Sequence, residues 1–131
     1  MPGAAELLSR VRRTGRQIAI VTNNTVVEQR LKLDRCRLTP LVDLLVTSEE
    51  VGISKPDPEI FHAALRRLNR APADAVMLGD NWAADVEGAR AAGIRAVWLN
   101  RSGEACPDPS VAQLRSLEPV HEAFRSVVGQ W

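Results

Sequence analysis

Only two of the 131 residues are cysteine, Cys36 and Cys106, and they stand seventy positions apart. There is no C-x-x-C pair and no Cys/His cluster, which argues against a structural zinc site, and nothing in the spacing calls for a disulfide. No apolar run approaches the ~18 residues of a membrane span. The opening Met-Pro-Gly-Ala-Ala-Glu has neither the basic nor the apolar region of a signal peptide. A soluble, cytoplasmic protein is the expectation, with no membrane partner. Surplus charge of one sign is also missing. The net charge of +1 gives no bulk attraction to nucleic acid or to acidic membranes. Lysine is scarce as well: fifteen of the seventeen cations are Arg, and only Lys32 and Lys55 are Lys.

What is present suits one domain of ordinary size. Apolar residues make up 45% and charged residues 25%, enough for a core and too ordered a balance for a disordered chain. Helical and strand patterns alternate. Leu7, Leu8 and Val11 form a helical stripe over 4–14, and Gly15 suits its end. The run 17–22 (QIAIVT) reads as a buried strand. Thr25 and Glu28 form a capping box that starts a helix reaching about Cys36. The next strand covers 42–47, followed by a loop over 48–58. Asp57 and Pro58 then open a helix with Ile60, Phe61, Ala64, Leu65 and Leu68 on one face. Strands over 75–78 and 94–99 flank a helix over 82–92. A short strand near 112–115 and a last helix over 118–128 follow. This order predicts an α/β domain with a mostly parallel sheet.

In such sheets ligands bind beyond the carboxyl ends of the strands, so the residues after each strand are the ones to weigh. These are Thr22-Asn23-Asn24, the loop carrying Lys55, and Gly79-Asp80 leading to Asp85. A hydroxyl, an ammonium and two carboxylates suit a metal-bound phosphate. Lysine neutralises phosphate oxygens, and carboxylates suit Mg²⁺, a hard cation. Each residue also has a plain structural reading. Thr22 would form a turn, Asp80 would cap the next helix, Asp85 would complement its dipole, and Lys55 would be a solvated loop cation. The rest of the polar inventory reads as structural: His62 and His121 without a partner pattern, the cluster Arg10, Arg12, Arg13 and Arg16 as a solvated face, and Trp98 as core. Trp82 would either wall the site or pack.

Three segments in order resemble the motifs of the haloacid dehalogenase (HAD) superfamily. IAIVTNN is similar to its second motif, GISKPDPEIF to its third, and MLGDNWAADVEGARAAGIRAVWLN to its fourth, GDxxxxD. Gly88, Ala89 and Gly93 follow the same pattern. The resemblance implies a three-layer, Rossmann-like parallel sheet and phosphate-ester hydrolysis rather than dehalogenation, because GDxxxxD is kept. It implies Thr22 and Lys55 as catalytic residues, Thr22, Asn23 and Lys55 as phosphate-binding, and Asp80 and Asp85 as the Mg²⁺ residues. Asp80 would be the direct ligand, and Asp85 would support metal waters or Lys55. A phosphorylated small molecule is the implied ligand.

One departure is large. The family's first motif, DxDxT, supplies the nucleophile and the general acid/base. None of the seven aspartates here is followed two residues later by another, and none precedes Thr22. The stretch Pro2-Gly3-Ala4-Ala5-Glu6-Leu7-Leu8 resembles the one that follows a helical cap domain. The expectation is a single incomplete HAD-like core over 1–131, with no cap domain. The usual central strand would be missing at the N-terminal side, and the chain alone would be without activity. The gap would close by direct pairing of the strands ending at Thr22 and Asp80, by a homodimer, or by a separate chain completing the sheet. A rearranged sheet or a dimer is expected over an open gap. The alternative is a non-catalytic module that binds phosphate or a partner.

Overall fold

The computed structural model describes residues 2–129. Helix α1 (Ala4–Arg13) turns its leucine and valine stripe inward, burying Leu7 and Val11. Strand β1 (Ala19–Thr22) follows. Helix α2 (Val26–Arg35) starts at the expected Thr25 cap, whose hydroxyl accepts from Glu28 N at 3.2 Å; the Glu28 carboxylate closes on that hydroxyl at 2.9 Å and not on the Thr25 N–H that a capping box uses. Strand β2 (Leu44–Thr47) leads directly into the one-turn helix α3 (Ser48–Val51). The sequence pattern predicts loop at this turn. It forms because Thr47 caps it, accepting from Glu50 N at 3.1 Å, and Gly52 ends it with φ +82°.

Asp57 caps α4 (Pro58–Leu68), accepting from Glu59 N at 3.0 Å, with Pro58 at the first turn as expected. Strand β3 (Val76–Gly79) opens onto a turn of π-helix, Trp82–Glu87, that runs into α5 (Gly88–Ala91). The sequence pattern predicts one ordinary helix over 82–92. The wide turn shows in Val86 N reaching Asn81 O at 3.4 Å, five residues back. Strands β4 (Arg95–Leu99) and β5 (Ala112–Leu114) and helix α6 (Val120–Val128) complete the order.

Every ladder is parallel. β1 pairs β2 with Thr22 opposite Thr47. β3 pairs β4 with Gly79 opposite Trp98, and β4 pairs β5. Side chains alternate between two hydrophobic clusters, as strands with both faces covered require. Val21, Val46, Met77, Ala96 and Trp98 face α4, the π-helical turn and α5 through Ile60, Phe61, Val86 and Ala89. Ile18, Val76, Leu78 and Leu99 face α1 and α6 through Leu7, Val11, Val120 and Ala123. The result is the expected three-layer α/β arrangement.

The direct pairing of β1 with β3, expected as one way of closing the sheet, is not found. Among the described residues the strands form two separate sheets, β1-β2 and β3-β4-β5. The inner strands show it in their exposure: β1 and β3 are half-buried along all four residues each, whereas Ala96 to Leu99 of β4 are buried. Shared clusters on both faces hold the two sheets together without a ladder between them.

Candidate functional site

β1 ends at Thr22, whose Oγ1 accepts from Asn24 N at 3.1 Å. That bond uses a lone pair and leaves the hydroxyl proton available for another acceptor. Asn23 turns its side-chain amide to the Lys55 loop. Its Oδ1 accepts from Lys55 N at 2.8 Å and its Nδ2 donates to Lys55 O at 3.2 Å. The Ser48 hydroxyl, on α3, donates to Asn23 O at 3.1 Å. The amide therefore clamps the Lys55 loop from both sides.

Lys55 then reaches across to the other sheet. Its ammonium donates to Asp85 Oδ1 at 2.5 Å, with side chains only 12% and 7% exposed. Asp85 Oδ2 accepts from Asn81 N at 3.1 Å. The wide turn at 82–87 folds this carboxylate back over the end of β3, and Gly79 leaves the room: a Cβ there would lie 2.5 Å from Asp85 Cγ. Gly88 serves the Lys55 side in the same way, since its own Cβ would meet Phe61 Cε2 at 2.8 Å and Pro56 at 3.1 Å.

Asp80 does not cap the helix; Asn81 does, accepting from Ala84 N at 2.9 Å. The Asp80 carboxylate is left 55% exposed, with Arg101 Nη2 at 3.2 Å from Oδ2. Trp98 Nε1 donates to Asp80 O at 3.1 Å and pins that backbone. Trp82 packs edge-on against Trp98, centroids 4.9 Å apart. The structure thus brings Asn23, Lys55 and Asp85 into one bonded series. It sets Thr22 next to that series in the chain, and Asp80 on the same turn as Asp85 but facing Arg101. Asn23 as a clamp, Ser48, Trp98 and Arg101 escaped the sequence reading. An Asn beside a strand-end Thr was the visible signal for the first, and nothing in the pattern marks the others. His62 pairs with Glu59 at 3.1 Å on an exposed helix face, away from this set.

The donor set can be tested against Mg²⁺. Both Asp85 oxygens are engaged, and among the described residues no group of three His, Cys, Asp or Glu could hold an ion. Asp80, however, is an exposed carboxylate that already has a cation beside it. Mg²⁺ ordinarily takes one or two carboxylates and completes its shell with water and phosphate oxygens. An ion held by Asp80 together with a ligand would suit this donor set, while the two Asp85 oxygens accept from Lys55 and from Asn81 N. No helix among the described residues is long and apolar enough to cross a membrane.

A family model described as haloacid dehalogenase-like hydrolase matches residues 1–93. The chain is 44% identical over 121 residues to a phosphoserine phosphatase of Thermus thermophilus, covering 88% of this chain and 49% of that protein. It is 43% identical over 105 residues to a ribulose-1,5-bisphosphate 5-phosphatase of Halopiger xanaduensis, covering 80% and 44%. Among solved structures, a HAD phosphatase from Thermococcus onnurineus superposes with a TM-score of 0.87 at 34% identity, over 97% of this chain and 59% of that one. A 2-haloacid dehalogenase from Pseudomonas syringae pv. tomato superposes at 0.81 with 29% identity, over 95% and 52%. The chain spans about half the length of the curated relatives it matches.

Proposed function

The chain belongs to the haloacid dehalogenase-like hydrolases, and we propose that it forms the phosphate- and metal-holding half of a Mg²⁺-dependent phosphate-ester hydrolase acting in the cytoplasm. The carrying observation is the series Asn23–Lys55–Asp85–Asn81, which ties the carboxyl end of β1 to that of β3 across a junction with no ladder. A fixed ammonium between two strand ends is what a dianionic phosphoryl group needs, because a buried charge held in place stabilises without reorganising. The Thr22 hydroxyl donates to a phosphoryl oxygen, and Lys55, oriented by Asp85 and by the Asn23 clamp, balances the charge. An ion on Asp80 would draw charge from the phosphoryl oxygens.

The attacking group is not in this set. Covalent phosphoryl transfer needs a positioned nucleophile, and the sequence has no DxD pair. Among the described residues β1 and β3 each pair on one edge only. In this reading, a strand carrying the nucleophilic carboxylate adds between them, satisfies both edges, and ends beside Thr22, Lys55 and Asp80. The half-buried inner strands support this, since unpaired backbone groups cost about 1–3 kcal/mol each once covered.

The test is turnover of p-nitrophenyl phosphate with Mg²⁺. The purified chain alone is expected to be inactive. Activity is expected on adding a polypeptide that carries a DxD strand, and is expected to be lost with Asp80→Ala. Turnover by the chain alone that Asp80→Ala abolishes would overturn the division of labour. The missing DxD pair also favours a second reading, a phosphate-binding module without chemistry. It is separated from the first by calorimetry showing phosphate binding in a chain that no added strand activates.

A further inference from the structure

The cations at this rim differ sharply in how they are held. Lys55 is nearly buried against Asp85, and breaking a buried pair by withdrawing one partner is costly. Arg101 is 54% exposed and meets Asp80 through a single 3.2 Å contact, an exposed pair of the kind worth little. The base from which Arg101 projects is nonetheless fixed. Asn100, 3% exposed, donates to Glu104 O at 2.8 Å and Gln113 Oε1 at 2.9 Å, and accepts from Glu104 N at 3.0 Å. Its own N–H donates to Leu114 O at 2.7 Å. Trp98, below it on β4, holds the Asp80 backbone. Asp80 and Arg101 both line an open cavity of about 310 Å³, together with Trp98, Ser102 and Glu104.

We propose that Arg101 is a further phosphate-binding residue of this site: its guanidinium rests on Asp80 until a divalent cation takes that carboxylate, and then turns to the oxygens of the bound phosphate. The proposal rests on the reading of Asp80 as the metal carboxylate. A planar guanidinium suits phosphate through paired N–H groups. Its anchored base and loose tip let it exchange partners without moving the loop. Arg101 also competes with the ion for Asp80, so removing it has opposite effects on the two ligands.

The experiment titrates the ¹⁵N-labelled chain, following the Trp98 indole N–H, which bonds directly to Asp80 O. Mg²⁺ alone is expected to bind Arg101→Ala about two- to five-fold more tightly than the unaltered chain, the range of an exposed ion pair. Inorganic phosphate at saturating Mg²⁺ is expected to bind Arg101→Ala about tenfold more weakly, as for a lost hydrogen bond to a charged group. Arg101→Lys is expected to recover part of that loss. Opposite signs support the proposal. A change of the same sign for both ligands, or no change in either, overturns it, and urea midpoints check that the variants fold. If Asp80→Ala leaves the Mg²⁺ response unaltered, the metal reading fails and the proposal with it. If Asp80→Ala removes that response while Arg101→Ala shifts nothing, only the role of Arg101 falls.

Discussion

Asn23 and Lys55 hold each other through a two-point bond: the side-chain amide of the first meets both backbone polar groups of the second, although 32 residues separate them. One consequence is that the position of the Lys55 ammonium depends on β1 as well as on its own loop. Asn23→Ala is expected to lower stability by about 1 kcal/mol and to weaken phosphate binding. Asn23→Asp, which keeps the acceptor for Lys55 N and loses the donor to Lys55 O, is expected to fall between. Urea unfolding and phosphate titration of the three chains check the order.

The Lys55–Asp85 pair is nearly buried, with side chains 12% and 7% exposed. Asp85→Asn leaves an ammonium without its counter-charge and is expected to cost about 3 kcal/mol. Lys55→Met with Asp85→Asn is expected to recover much of that, because neither variant residue then leaves an unmatched charge. Equilibrium unfolding of both single variants and the double variant checks the coupling. Strictly additive losses would show that the pair does not act as a unit.

Two glycines keep the pair in place by having no side chain. Gly79→Ala would press on the Asp85 carboxylate, and Gly88→Ala on Phe61 and on the Pro56 backbone that follows Lys55. Each is expected to cost about 1–3 kcal/mol, the range of overpacked sites. Each should also weaken phosphate binding by displacing Lys55. Thermal unfolding together with phosphate titration checks both effects.

A pH dependence is expected away from the site. Asp43 accepts from Arg12 Nη1 at 2.7 Å and from Ile18 N at 2.7 Å, tying the end of α1 to the entry of β1. The Arg12 side-chain bond, then the Ile18 N–H, hold its carboxyl below the ordinary 3.8 despite partial burial. A depressed folded value means that the stabilisation is fully present above the unfolded pKa and is lost as pH falls through the folded one. Asp43→Asn is expected to be less stable than the unaltered chain near neutrality, with the difference narrowing below 3.8. Urea midpoints across the acid range check it.

Much of the fold was legible because the sequence is locally consistent. The Thr25 and Asp57 caps, the glycine after α1 and the apolar stripes of α1 and α4 all sit where spacing places them. What escaped was set by contacts between distant segments. The turn α3 depends on Thr47, which the strand pattern had already claimed for β2. The wide turn at 82–87 accompanies a carboxylate that folds back towards a lysine thirty residues away. The failure of β1 to pair with β3 reflects two sheets that satisfy themselves separately and share only side-chain packing.

By itself the sequence determined which chemical groups end each strand: a threonine hydroxyl, a lone lysine and two aspartates, because strand and helix periods and caps are read from neighbours a few residues apart. Only the tertiary structure decided how those groups are divided. Asp85 is consumed in holding Lys55, Asn23 in holding its loop, and Asp80 is left facing Arg101. Partner choice of this kind depends on which backbone turns approach within hydrogen-bond reach, and that distance is set by packing across the molecule and not by spacing along the chain.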